Sequence, residues 1–257
     1  MEAFGNAKTL RNNNSSRFGK YFELSFDTAG RPMAGKVTNY LLEKSRVVKP
    51  GKGERNFHIF YQLFAGLPSA VQQKLHLTSA QDYTYLNGSK CFTVEDIDDS
   101  SEFTETMAAM THVGIKRKQV ELVLQIVAAV LHLGNVTFSP LAVGDAEGSV
   151  IGNKQALVRF CELTGMDAVA LEHALCYKLL QTMAPGGKME SYKVPQNPSQ
   201  ANAARDSIAK IMYERLFDFL VSRINAALDI EKTEKKSGQS LNLEEMKTIG
   251  ILDSKFV

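Results

Sequence analysis

The sequence predicts an α/β fold in which helices predominate. The strand signal is the alternation Tyr21-Phe22-Glu23-Leu24-Ser25-Phe26, followed by the turn chemistry of Asp27-Thr28-Ala29-Gly30-Arg31-Pro32 and a second extended stretch near 35 to 43, which together predict a β-hairpin. The helix signal is stronger. Phe57, Phe60, Tyr61 and Phe64 recur at i, i+3, i+4 and i+7, residues 117 to 133 are apolar on nearly all sides, and 199 to 229 carry a long amphipathic pattern. At 257 residues and 44% hydrophobic, the chain can bury a sizeable core as one large domain or two lobes.

In order, residues 1 to 11 read as a helix end or connector with a break at Gly5-Asn6, followed by a polar loop over 12 to 20 and the hairpin. Leu41-Leu42-Glu43-Lys44-Ser45-Arg46-Val47-Val48 reads as a strand exit with a charged, solvated end. After the basic linker Lys49-Pro50-Gly51-Lys52-Gly53, a helix is expected to begin at Glu54-Arg55-Asn56-Phe57-His58, to bury its aromatic stripe and to stop at Gly66. Residues 68 to 182 are expected to be helical with irregular joints: a short helix over 68 to 75, a loop over 83 to 92, a cap at Thr93-Val94-Glu95-Asp96, a solvated acidic run through Asp99, Glu102 and Glu105, a buried helix over 117 to 133, and helices near 153 to 164 and 167 to 182. Residues 183 to 198 read as a loop rich in Gly, Lys and Pro. In the helix over 199 to 229, Ile208, Ile211, Met212, Leu216, Leu220 and Ile224 form the apolar stripe, and Arg205, Asp206, Lys210, Glu214 and Asp218 the wet side. A charged linker over 231 to 239 precedes the short strand Lys247-Thr248-Ile249-Gly250-Ile251-Leu252-Asp253.

Composition excludes several classes. A formal charge of +2 gives no global signal for nucleic acid or another polyanion, so any acidic partner must meet a local patch. The apolar run 120 to 133 is too short for a membrane span, and no leader pattern is expected at the N-terminus. Cys91, Cys161 and Cys176 are odd in number and widely spaced, which fits a reducing cytosol. His173 and Cys176 can share a helix face but are too few for a metal site.

The loop Asn12-Asn13-Asn14-Ser15-Ser16-Arg17-Phe18-Gly19-Lys20 carries three amides, two hydroxyls, a guanidinium and an ammonium in nine residues. Amides donate to phosphate oxygens, a serine hydroxyl can ligate Mg²⁺, and Arg and Lys neutralise a transferring phosphoryl group. An ordinary solvated turn has the same composition; the order of residues separates the two. Asn-x-Asn-Ser-Ser-Arg-Phe-Gly-Lys resembles the switch I loop of myosin motors, and Glu2-Ala3-Phe4-Gly5-Asn6-Ala7-Lys8-Thr9 resembles the segment before it. Kinesins share Ser-Ser-Arg but continue with Ser-His where this chain has Phe18-Gly19. The segments Tyr40-Leu41-Leu42-Glu43-Lys44-Ser45-Arg46-Val47-Val48, which leans toward class I, Arg55-Asn56-Phe57-His58 and Leu131-His132-Leu133-Gly134-Asn135 extend the resemblance over residues 2 to 253.

The resemblance implies a P-loop NTPase-type motor fragment: the upper cleft half of the head with distal strands of its central sheet, running as a partial domain over 1 to 257 from switch I to the start of switch II. Asn12, Asn14, Ser15, Ser16, Arg17 and Lys20 would then bind ATP; Ser16, with Asp253 through water, would hold Mg²⁺; Ser15 would position the attacking water; and Arg17 would pair with a switch II glutamate. The hairpin would sit at the sheet edge that couples nucleotide state to actin affinity. Asp253 aligns with the first residue of Asp-Ile-x-Gly-Phe-Glu, after which the match stops at Ser254-Lys255-Phe256-Val257. The Gly-Lys pairs at 19, 35, 51 and 187 are not followed by Ser or Thr, so no P-loop lies within 1 to 257. Residues 186 to 195 align with a loop that meets the actin filament, where Glu190, sixteen positions before Asp206, would supply a permanent negative charge beside Lys188 and Lys193. The expected role is therefore part of a cytoplasmic, actin-based, ATP-driven motor working with the rest of its heavy chain and with light chains, and not hydrolysing ATP by itself. The alternative is a non-catalytic actin-binding module, and a kinesin-type motor is third.

Overall fold

A computed structural model describes residues 1–144, 146–183, 189–229 and 246–253. The chain enters through one helical turn, α1 (Glu2–Gly5), which runs straight into β1 (Asn6–Ala7). β1 pairs antiparallel with β2 (Ser15–Ser16), Asn6 opposite Ser16 and Ala7 opposite Ser15, so residues 8–14 form a closed loop. β3 (Gly19–Phe26) and β4 (Pro32–Tyr40) make the predicted hairpin, reversed at Gly30, whose φ of 77° favours glycine. The second strand begins and ends earlier than the sequence pattern suggests, because pairing with β3 defines it.

After α2 (Ser45–Val48), the aromatic helix α3 spans His58–Gly66. It starts later than expected, because Arg55, Asn56 and Phe57 are buried in a non-helical segment that meets the polar loop: the Arg55 amide donates to the Lys8 carbonyl at 2.9 Å, and Ala7 bridges to Phe57. The predicted stripe is core. Phe57 and Phe60 both stack on Tyr213, at 5.0 and 5.3 Å between ring centres, and Tyr61 is buried, while Phe64 is half-buried against Tyr83. Burying each of these rings contributes roughly 1.5–3 kcal/mol relative to exposure.

α4 (Ser69–Lys74) is the expected short helix, whereas the expected loop over 83 to 92 contains a helical turn, α5 (Thr84–Asn87), that buries Tyr85 and Leu86. α6 (Asp99–His112) is capped by Asp98, which accepts from the amides of Ser100 and Ser101, and not by the 93–96 segment. α7 (Arg117–Gly134) is the central helix and ends where expected; it buries Val123, Val127, Val130 and Leu131 but leaves Leu122 on the surface.

Two hairpins replace expected helix or loop. β5 (Phe138–Val143) pairs with β6 (Ala146–Ile151), and after α8 (Lys154–Thr164) and α9 (Ala168–Cys176) the chain forms β7 (Tyr177–Met183) and β8 (Met189–Pro195). The expected helix over 167 to 182 therefore stops at Cys176, because seven cross-strand pairs claim the residues after it. Such pairing is non-local and leaves a weak trace in a local pattern.

The long helix α10 (Pro198–Ala227) has Pro198 in its first turn and a capping box, in which Asn197 accepts from the Gln200 amide and the Gln200 side chain accepts from the Asn197 amide, both at 3.0 Å. Its expected stripe needs correction. Tyr213 and Phe217 are buried while Ile211 is exposed, and Arg205, assigned to the wet side, is buried: its guanidinium donates to the Val136 carbonyl at 2.6 Å and to Asp206 at 2.8 Å. Asn225 ties α10 to the sheet, accepting from the Val37 amide at 2.7 Å and donating to its carbonyl at 2.8 Å. β9 (Lys247–Asp253) then adds to β3, giving the order β4-β3-β9 among the described residues. The linker expected over 231 to 239 lies outside them.

Candidate functional site

The polar loop is a built structure rather than a solvated turn. At its entrance, the Thr9 amide donates to the Asn12 carbonyl at 2.8 Å, and the Asn12 side-chain oxygen accepts from the Asn14 amide at 2.8 Å. At its exit, the Arg17 amide donates to the Gly5 carbonyl at 2.7 Å. Phe18 anchors that end in the core edge-on to Phe217, 5.1 Å between ring centres, and lies so close to Gly5 that a Cβ there would run into its ring.

A chain of alternating charges joins the two ends of the loop. The Leu10 amide donates to Glu54 at 3.3 Å, Glu54 pairs with Arg46 at 2.9 Å, Arg46 with Glu43 at 2.8 Å, and Glu43 with Arg17 at 2.6 Å. Arg17 also donates to the Ser15 hydroxyl at 3.1 Å. Desolvation works to raise the Glu43 pKa, but the hydrogen bonds and charges of Arg17 and Arg46 outweigh it and hold the carboxyl below its usual range. Among the described residues the carboxylate partner of Arg17 is therefore Glu43, in a segment read from sequence as a solvated strand exit. Arg46, three residues on, is buried, and a buried guanidinium requires a carboxylate nearby; that burial is decided by the fold, so no local pattern marked Glu43.

Beneath the loop, Arg55 is fully buried and makes a two-pronged pair with Asp99 at 2.9 and 2.7 Å, its guanidinium lying 3.9 Å over the Tyr61 ring. This corrects the reading of Asp99 as part of a solvated acidic face. His58, at the start of α3, lies with its Nε2 3.1 Å from the Asn14 side-chain oxygen, which also accepts from the Asn6 side chain at 3.0 Å. Burial first, and then the Arg55 charge, push the His58 pKa down to about 3, so the ring is neutral at physiological pH.

The predicted site residues are thus largely brought together. Asn12 and Asn14 are exposed, each with its side-chain oxygen engaged and its NH₂ left as a donor. Ser15 is buried with its hydroxyl on Arg17, and Ser16, one residue along the strand, faces the other way and is half-buried. β9 places Asp253 opposite Lys20, with 3.3 Å between carboxylate and ammonium. No group of three or more His, Cys, Asp or Glu side chains among the described residues could hold a metal unaided. The donors and free hydroxyl fit a phosphate-bound Mg²⁺ whose other ligands come from elsewhere.

The segment expected from sequence to face a filament falls on the β7–β8 hairpin, which follows α9 and precedes α10. Glu190 and Lys193 sit on β8, exposed, among exposed Leu179, Met183, Met189 and Tyr192; the Tyr192 hydroxyl donates to Glu190. Lys188 lies outside the described residues. Asp206, which set the register for Glu190, is itself structural, accepting from the Tyr85 hydroxyl at 2.7 Å. His173 stacks on Tyr177 at 4.8 Å and Cys176 is buried, so both take part in packing. No helix among the described residues is long and apolar enough to cross a membrane.

The family model of the myosin head (motor domain) matches residues 1–255. The chain is 44% identical to myosin IB heavy chain of Dictyostelium discoideum over 98% of its own length and 22% of that protein. It is 46% identical to myosin ID heavy chain of the same organism, again over 98% of this chain and 22% of the relative. Against myosin heavy chain IB of Acanthamoeba castellanii the identity is 45%, over 98% of this chain and 20% of the relative. The chain therefore spans about a fifth of the length of the curated relatives it matches.

Proposed function

For a chain that belongs to the myosin head (motor domain) family and is class I-like, we propose that residues 12–20 form the nucleotide-sensing loop of an actin-based, ATP-driven motor. The observation that carries this is the tethered loop itself: both ends are pinned by backbone bonds and ion pairs, and its outward groups are amide donors and a hydroxyl. Phosphoryl transfer asks for this, because it depends on positioning and charge stabilisation more than on acid–base chemistry. Bound Mg²⁺ would neutralise phosphate charge, held in part by Ser16 and, through water, by Asp253.

In this reading the roles of this chain's own residues are those that the resemblance implies. Asn12 and Asn14 donate to nucleotide phosphates, Lys20 adds positive charge, and Arg17 closes the loop; Ser15, buried with its hydroxyl on Arg17, orients the attacking water only after turning outward. The Glu43 pairing holds Arg17 ready; a second carboxylate from the remainder of the heavy chain would compete for the same guanidinium. The β7–β8 hairpin, with Glu190 and Lys193, is the actin-facing element, supported by its exposure along both strands. In this reading the protein acts in the cytoplasm at the actin cytoskeleton, with light chains and without nucleic acid, and the segment 1–257 alone does not turn over ATP. That exposed hairpin also favours the second reading, a non-catalytic actin-binding module.

The test uses the full-length heavy chain containing this segment. Ser16→Ala is expected to weaken Mg²⁺-dependent ATP binding about tenfold, and Arg17→Ala to lower actin-activated turnover by about a hundredfold, as for loss of one oriented donor at a charged transition state. Wild-type Mg²⁺-dependent affinity in Ser16→Ala would overturn the assignment. Retained filament binding with no turnover in the parent protein selects the second reading.

A further inference from the structure

The contact between His58 and Asn14 has a direction that its chemistry fixes. The Asn14 side-chain oxygen carries no proton and already accepts from Asn6 at 3.0 Å, so the 3.1 Å approach of His58 Nε2 is attractive only if that nitrogen bears the hydrogen. The ring is then neutral, with Nδ1 bare. Two buried acceptors, His58 Nδ1 and Asn6 Oδ1, have no partner among the described residues. The alternative, with both amides reversed and His58 protonated on Nδ1, would bury the Asn6 NH₂ and the ring N–H as unpaired donors. Orphaned buried donors are rarer than under-satisfied acceptors, so the observed arrangement is the cheaper one.

With its oxygen held from two sides, the Asn14 carboxamide cannot rotate without setting donor against donor at Asn6. What remains for the outside is its NH₂, on an exposed residue in the middle of the polar loop. His58 is 4% exposed and belongs to the first turn of α3, the helix whose aromatic stripe is fixed in the core. The orientation of a loop side chain is thereby referred to the buried core.

We propose that His58 is a positioning residue for nucleotide binding: by donating from Nε2 it fixes the Asn14 carboxamide so that its NH₂, and not its oxygen, meets the phosphate oxygens. This rests on the proposed role of the loop. His58 touches no substrate itself and acts through Asn14.

The test measures Mg²⁺-dependent binding of a fluorescent ATP analogue to the full-length heavy chain containing this segment. Asn14→Ala is expected to weaken binding about tenfold, the scale of one charge-assisted hydrogen bond. His58→Leu is expected to lose a similar factor, His58→Gln to recover most of it by offering an amide donor in the place of Nε2, and Asn14→Ala with His58→Leu to bind no more weakly than Asn14→Ala alone. Losses that multiply in the double variant, or wild-type affinity in His58→Leu, overturn the proposal. If Asn14→Ala binds normally, the role of the loop falls, and the proposal with it. Should His58→Leu not fold, His58→Gln and His58→Asn decide: the longer amide reaches Asn14 and keeps affinity, the shorter does not, and equal affinities in the two overturn the idea.

Discussion

The polar loop over 12–20 and the β7–β8 hairpin are both surface segments matched by family motifs, yet they are built on opposite principles. The loop is short, closed by the β1–β2 pairing, and wired at both ends, through Glu54 and Glu43, to the buried Arg46. The hairpin projects from α9 and α10 with nearly every side chain in solvent and its strands bonded to each other. A group proposed to meet a phosphate oxygen gains from being fixed before the ligand arrives, because ordering it during binding would cost free energy. A surface that meets a large partner needs reach and exposed area, and tolerates local freedom.

The sharpest way to break this contrast is to remove a buried charge from beneath the loop. Asp99→Ala leaves the Arg55 guanidinium fully buried without its carboxylate, so the chain is expected to lose about 3–5 kcal/mol of stability, read as a fall in the denaturant midpoint. A loss under about 1 kcal/mol would show that the loop is not referred to a rigid base.

A second, smaller effect is set by pH. His58 and His132 are both held neutral, the first with a pKa near 3 from burial and then Arg55, the second near 4 from burial, which outweighs the opposing bond to the Leu75 carbonyl. Both values lie below the ordinary 6.5, so as pH falls through 6.5 the unfolded chain takes up protons that the folded chain refuses. Stability is complete above that pH and is lost toward pH 3 to 4. Between pH 7 and 5.5 the two together are expected to cost on the order of 2 kcal/mol. Urea midpoints across that range, compared with those of His132→Gln, check the sign; a midpoint that rises on acidification would contradict it.

The smallest effect is expected in the hairpin. Glu190→Gln should change stability by less than about 0.5 kcal/mol, since both it and its Tyr192 partner are exposed. In the full-length protein it should nonetheless reduce actin activation of ATP turnover. A large stability loss from this variant would mean that the hairpin is packed, and the contrast between the two regions would fail.

Much of the candidate loop was legible in the sequence, because its residues are contiguous and their order is distinctive. Glu43, Asn6 and His58 were not assigned roles, since each lay in a segment with a ready local explanation: a charged strand exit, a chain break, an aromatic helix. Arg205 shows the same limit. Helical periodicity placed it on the wet side of α10, while the Val136 carbonyl, Asp206 and the Tyr85 ring, 5.6 Å from its guanidinium, make a buried home that no single helix pattern contains. The two unforeseen hairpins failed for a related reason, as their pairing energy comes from strands whose local propensities are ambiguous.

Sequence by itself determined the family, the order of polar groups over residues 12–20, the β3–β4 hairpin, the aromatic core of α3 and the run of α7 and α10, because these depend on local order and periodicity. Only the tertiary structure decided that Arg17 answers to Glu43, that Asp253 stands beside Lys20, and that His58 reaches up from the core to hold Asn14. Those relations pair charges and donors far apart along the chain, and only burial, which makes an unpaired group costly, selects one partner among many.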